Sequence, residues 1–260
     1  LEINEFFSRE QVDVYAETDL ATLPLSDQTY VRRMLPSALS VIVFGKEVPV
    51  SAYRGTSKEK TAIMLKIAES LDKTAENLAG VLNDVGIPAI PVPLYLPVRV
   101  VDGKVQGVVR LKQVAAAGGI GSQGRNSVLI SPRYGPRLLM SGVITSRAAS
   151  APGAVYPDEQ KSGECLSVQC TGCGRCITLC PGSAIGPDGV EVFQCMTIRP
   201  WVPPRMVPLV KWILGRHLFL VCVAPLAPLI ARMATIRCSL CVTGCPLFEG
   251  VHDERGKPSG

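Results

Sequence analysis

The sequence predicts an α+β protein in two parts, and three observations carry that reading. Residues 1–150 contain no cysteine and read as a mixture of helices and strands, whereas nine of the ten cysteines fall between positions 170 and 245, eight of them in a regular pattern. Between these regions, 146–163 are rich in Ala, Ser, Gly and Pro, the composition of a connection. The chain thus divides into an α/β domain over 1–150, a linker over 151–164, a cysteine-rich domain over 165–250 and a tail over 251–260. With 260 residues, 47 % of them hydrophobic and 19 % charged, it can build two cores and is too apolar to stay unfolded.

The first domain announces its elements by pattern. Ser40 to Phe44 is a short apolar run, as expected of a buried strand. A helix is predicted from Ser57 to Val85: Thr56 and Glu59 have capping-box spacing, and Ile63, Ile67, Leu71, Ala75, Leu78 and Leu82 share one face. Gly86, with Pro88 beyond it, should stop that helix. Val98–Val101 and Lys104–Val109 flank Asp102-Gly103, a strong hairpin signal. Two further strands are predicted over Asn126–Ile130 and Leu138–Thr145, joined by the turn-rich stretch Ser131 to Arg137.

The second domain begins with Cys170-x2-Cys173-x2-Cys176-x3-Cys180-Pro181, the run of bacterial two-cluster ferredoxins, in which the fourth cysteine serves the other cluster. It ends with Cys238-x2-Cys241-x3-Cys245-Pro246. A full second copy would need a cysteine at 235, where Thr235 stands, so Cys195 is the natural substitute. The expected product is two 4Fe–4S clusters in a ferredoxin-like domain. One is held by Cys170, Cys173, Cys176 and Cys245, the other by Cys180, Cys195, Cys238 and Cys241. Glycines at 172, 174 and 244 are expected to allow positive φ and close approach to the sulfides. Structural zinc is the rival, but zinc ribbons use paired dicysteine knuckles, not a four-cysteine run with Cys-Pro endings. A disulfide framework needs an oxidising compartment that nothing here marks. Cys165 and Cys222 fit neither set and read as ordinary cysteines.

Between Cys195 and Cys238 lie 42 residues with both tryptophans, Trp201 and Trp212, and six prolines. This spacer is expected to cover one cluster and tune its potential, with a donor-docking surface as the second reading. Within it, Leu218–Ala231 is a 14-residue apolar run, short of the ~20 residues that span a bilayer. Peripheral membrane contact is the most such a segment suggests.

The formal charge is +5, but two cubanes at about −2 each would leave about +1, which argues against nucleic acid as a partner. Leu1 to Phe7 carry no basic, apolar-cored or twin-arginine leader pattern, so a cytoplasmic, anaerobic setting is expected.

The remaining motif is a loop with Gly118, Gly119, Gly121, Ser122, Gly124, Arg125 and Asn126, ahead of a predicted strand. It has neither a P-loop Lys-Ser/Thr nor the strand-to-helix context of a dinucleotide fold. In order, the sequence places this loop, Gly142 to Thr145, the four-cysteine run, the lone cysteine of Gln194-Cys195-Met196-Thr197-Ile198, and the final Cys-x3-Cys-Pro. That arrangement resembles epoxyqueuosine reductases and their relatives, the reductive dehalogenases.

The resemblance implies a nitroreductase-like first domain that cradles a corrinoid (cobalamin), to which the clusters pass single electrons. The seven loop residues would lie against that cofactor, the glycines under the macrocycle and Arg125 and Asn126 on its amides or nucleotide tail. The implied activity is an oxidoreductase of corrinoid-dependent type, fed by a donor such as ferredoxin or flavodoxin and acting on a small-molecule substrate or the corrinoid itself. Two departures are visible. The acidic proton donor of those enzymes would fall near Val105, and their C-terminal helical-repeat extension has no counterpart before Gly260. The alternatives are a two-cluster electron-transfer module without corrinoid, or one with FMN and Arg32, Arg33, Arg54 and Lys58 at its phosphate.

Overall fold

The computed structural model describes residues 2–93, 98–101, 104–150, 153–157, 169–187, 189–216, 220 and 235–250. Cys165, Cys222, the Asp102-Gly103 turn, the tail and nearly all of the 218–231 run lie outside them. The protein is mixed α and β, with one four-stranded antiparallel sheet and three two-stranded ribbons among the described residues.

The main sheet is formed by β1 (Val14–Asp19), β2 (Ser40–Glu47), β3 (Ala89–Pro91) and the later strand β8 (Leu138–Thr145), in the order β1-β2-β8-β3. Its side chains alternate between two cores, as the twofold period of a strand requires. Val14, Ala16, Val41, Val43 and Ile144 join one core, and Tyr15, Ile42, Phe44 and Val143 join the other. Both faces are covered, so β2 reads as an unbroken apolar run rather than an alternating one.

Helix α1 (Ile3–Arg9) and the 28-residue α4 (Ser57–Asp84) cover the second face, through Phe6, Phe7, Leu71, Ala75, Leu78 and Leu82. The capping box at the start of α4 is present, with Glu59 N–H donating to Thr56 Oγ1 and Thr56 N–H to Glu59 Oε2. Its apolar face divides in two. Leu71 to Leu82 sit on the sheet, whereas Lys60 and Thr61, also buried, reach the cysteine-rich region. On the opposite face lie α2 (Leu25–Met34) and α5 (Leu111–Ala117), through Val31, Val114 and Ala115. Arg110 locks these helices together, its Nε donating to both Asp27 carboxylate oxygens at 2.9 and 3.0 Å.

β4 (Val98–Val101) and β5 (Lys104–Gly107) pair with Val101 opposite Lys104, the register of a two-residue hairpin turn. β5 stops at Gly107, two residues short of the expected end. The strand expected over Asn126–Ile130 shrinks to β7 (Leu129–Ile130), paired with β6 (Ser122–Gln123), because Gly124 to Ser127 form the turn between them. The connection after 146 is not a free linker throughout. Val155 exchanges both backbone hydrogen bonds with Tyr15, at 2.8 and 2.9 Å, extending the sheet beyond β1.

The cysteine-rich region contains α6 (Arg175–Thr178), the ribbon β9 (Ile185–Gly186) with β10 (Gly189–Val190), α7 (Val207–Leu214) and α8 (Leu240–Thr243). The short α3 (Val50–Arg54) leads into α4. The turn at Ser131–Arg137 serves as a dock. A Cβ on Gly135 would stand 1.9 Å from Leu247 O, and Arg137 Nε donates to Phe248 O at 2.6 Å. The end of the cysteine-rich region is thereby fastened to the turn that leads into β8.

Candidate redox site

Two short helices present the cysteines. Cys176 lies in α6 with Cys180 just past its end, and Cys241 lies in α8 with Cys245 just past its end. The two helices touch, and the contact explains Gly244. Its φ is ordinary, at −83°, so positive φ is not its reason. A Cβ there would meet Leu179 Cδ1 at 2.2 Å, so Leu179 at the end of α6 fills the space. Gly172 and Gly174 do have positive φ, 68° and 75°, and turn the chain between Cys170 and Cys176.

The fold gathers the cysteines into two groups. Cys170, Cys173, Cys176 and Cys245 line one cleft, together with Arg125, Asn126 and Ile130. Cys241 has Cys238, Cys195 and Cys180 as its electrostatic neighbours. Thr197 binds the lone-cysteine segment to this second group, its hydroxyl bridging the N–H and carbonyl of Cys238. No three of the described His, Cys, Asp and Glu residues converge as they would on a single ion. Around a zinc with bonds of about 2.3 Å, four sulfurs would stand only about 3.8 Å apart.

Protonation follows from position. Burial, then the neighbouring thiols Cys238, Cys195 and Cys180, push Cys241 up to about 11. Burial also raises Cys176 and Cys245. Exposed Cys173 is lowered instead, chiefly because it accepts a hydrogen bond from the backbone N–H of Arg175. Thiolates so crowded resist ionising together, which a bound cation reverses.

The glycine-rich loop is placed differently from the expectation that it lies open to a flat cofactor. Gly118 ends α5 against Ala16 and Thr18, where a Cβ would come within 2.7 and 2.5 Å. On Gly121 a Cβ would stand 2.1 Å from Ile130 O, and on Gly124 2.7 Å from Asn126 Oδ1. Gly119 has φ +83°, facing Gly153. The protein's own atoms account for the close approaches. The polar members of the loop grip the cysteine-rich region: Ser122 Oγ accepts from Cys170 N–H at 3.2 Å, and buried Asn126 donates from Nδ2 to Cys241 O at 2.8 Å. Arg125 is exposed on the rim of the first cysteine cleft. The basic residues proposed for an FMN phosphate are divided, with Arg32 and Arg33 on α2 and Arg54 and Lys58 at the α3–α4 corner, helices that serve opposite faces of the sheet.

The broadest cleft in this region went unread in the sequence. It measures about 670 Å³, inside the roughly 300–1,000 Å³ usual for small-molecule sites. β5, the start of α5, Gln123, Asn126 and Ser127, the start of β8, and Val190 and Val192 form its walls. Lys104 and Lys112 bring positive charge, Arg110 lines the wall while held by Asp27, and Gln106, Gln113 and Gln123 bring amides. Among the described lining residues there is no carboxylate, and Val105 occupies the wall. Asn126 lines both this cleft and the first cysteine cleft while bonding to the second cysteine group. Only α5, whose Ala-rich sequence lacks a strong start signal, would have revealed this wall.

Neither a protein-family model nor any curated protein matches the sequence. Solved structures do match in fold. Epoxyqueuosine reductase from Streptococcus thermophilus aligns over 96 % of this chain and 66 % of its own, at 17 % identity and a TM-score of 0.54. The Bacillus subtilis enzyme, with its catalytic loop swung out of the active site, aligns over 97 % and 66 %, at 17 % identity and a TM-score of 0.52. A third epoxyqueuosine reductase, bound to an epoxyqueuosine-modified tRNA-Tyr stem loop, aligns over 95 % and 65 %, at 18 % identity and a TM-score of 0.53. The chain spans just under two thirds of the length of these structures. The tRNA complex runs against the charge-based expectation that nucleic acid is no partner of such a fold. This chain has the fold of the epoxyqueuosine reductases, in divergent form.

Proposed function

We propose that the protein is an iron–sulfur reductase in which two 4Fe–4S clusters pass single electrons to a corrinoid seated in the 670 Å³ cleft. The carrying observation is the position of Asn126, one buried side chain that borders both cysteine groups and the cleft. The donor sets fit the clusters, since each group supplies four thiols, the complement of a cubane. Cys180 Sγ also accepts from Ala184 N–H at 3.3 Å, the kind of contact that tunes such a centre.

The cleft suits a large, partly apolar cofactor with amide side chains. Val105, Val109, Leu138 and Met140 would exclude water, while the glutamines would meet amides. Lys112, held by Ser127 O at 2.7 Å, would hold positive charge at its mouth. A corrinoid bound there would supply a metal centre whose low-valent form is a strong nucleophile. Electrons would enter from an external donor of the ferredoxin or flavodoxin class. A tRNA substrate, as in one structural neighbour, is the second reading; it would need a proton source other than the described lining residues.

Anaerobic reconstitution followed by metal analysis and cobalamin titration tests the proposal. About eight irons and one corrinoid per chain are expected. Two zincs would overturn the clusters. Full iron without corrinoid would leave an electron-transfer module.

A further inference from the structure

The segment after Cys195 was expected to cover a cluster, yet its largest apolar groups point outward. Trp201 and Trp212 are 52 % and 59 % exposed, Met206 and Leu209 47 % and 49 %. Exposed Leu209 and Trp212 stand three residues apart on α7 and so share a side of it, with exposed Arg205 in the turn that precedes the helix and exposed Arg216 just past its end. The apolar pair is therefore flanked by an arginine at each end, and the Arg216 guanidinium lies 4.6 Å from the centre of the Trp212 ring. On its other side α7 is fixed to the protein. It packs on β4, and Lys211 reaches Glu191 at 3.6 Å and the Phe193 ring at 5.5 Å.

Charge identifies the occupant of the outward face. From Met196 to Arg237 the sequence has six Lys and Arg residues and no Asp or Glu, and it includes 14 successive apolar residues. Tryptophan and arginine beside apolar side chains, without acidic groups, is the composition of a helix lying in a lipid interface. An acidic protein could also satisfy the arginines, but tryptophan, arginine and a following long apolar run with no acidic residue in the sequence are the pattern of a lipid interface. We propose that the α7 face docks the protein on an anionic membrane surface, with Leu209, Trp212 and Trp201 entering the headgroup–acyl boundary and Arg205 and Arg216 meeting phosphates. The helix stays parallel to the surface, because its eight residues are about 12 Å long and no described helix is long and apolar enough to cross a membrane. The inference stands apart from the identity of the redox cofactors.

Trp212 lies on this face and Trp201, the chain's other tryptophan, is exposed a few residues ahead of it, so intrinsic fluorescence reports the environment of the region. The anaerobically purified protein is mixed with vesicles of phosphatidylcholine alone or with half phosphatidylglycerol, then assayed by sedimentation and emission. Binding to the anionic vesicles with a blue shift, weakened by salt, is expected. The exposed double change Arg205→Glu with Arg216→Glu should lower partitioning by at least about 30-fold, from about fivefold per cation lost. Lysine at both positions should retain it, and Trp212→Ser should weaken it at unchanged iron content. Absence of binding, equal binding of the glutamate variant, or capture of an acidic ferredoxin without vesicle binding would overturn the inference.

Discussion

Replacing Gly121 with alanine separates a structural loop from a cofactor-contacting one. The added Cβ would stand 2.1 Å from Ile130 O, 2.8 Å from Ile130 C and 3.0 Å from Ser131 Cα. A carbon and a carbonyl oxygen settle at about 3.3–3.6 Å, so β7 would have to retreat by more than about 1 Å. Ile130 is 2 % exposed and pairs with Ser122, so retreat breaks the β6–β7 register and pulls Ser122 from Cys170. Overpacking at about 1–3 kcal/mol and two hydrogen bonds at about 1 kcal/mol each give about 3–5 kcal/mol. For a chain of this size that lowers Tm by roughly 10 °C. Gly80→Ala is the control: on the exposed side of α4 nothing lies within 4 Å of its Cβ, and it should stabilise by about 0.5–1 kcal/mol. Anaerobic thermal melts compare the two. A Gly121→Ala protein melting within about 2 °C of the parent would refute the packing argument.

Asn126→Ala should cost about 1–3 kcal/mol by stranding Cys241 O, and should disturb the spectrum of the second cysteine group more than the first. Equal disturbance of both, read by electron paramagnetic resonance, would contradict that. Cys195→Ala should halve iron to about four per chain under the proposed ligand assignment; unchanged iron would give its place to another ligand. Asp72 is pushed up to about 6, by burial first and then by Glu76 one turn away. A raised carboxyl favours the protonated folded state, so this contribution is lost as pH rises from about 4 to 6. Asp72→Asn should therefore gain stability relative to the parent between pH 5 and pH 8, by about 1 kcal/mol after allowing for partial exposure. A pH-independent difference in denaturation midpoint would exclude that origin.

What the sequence determined alone was local. α4, its capping box and its stop at Gly86 follow from side chains within a few residues of one another, and so do β2, β8 and the hairpin register. Cysteine spacing is likewise local, because ligands that share a loop must be close along the chain. Tertiary structure decided which surfaces meet. Gly121, Gly124 and Gly244 resemble cofactor glycines in sequence, yet Ile130, Asn126 and Leu179 occupy the space beside them, from the same turn or a neighbouring helix. The large cleft draws its walls from Lys104 to Val192, a span that no local pattern encodes. The direction in which Trp201 and Trp212 point was also undetermined: an apolar stretch of sequence reads alike whether it faces inward or out. The anchoring of α7 through Lys211, Glu191 and Phe193 is what leaves Trp212 at the surface.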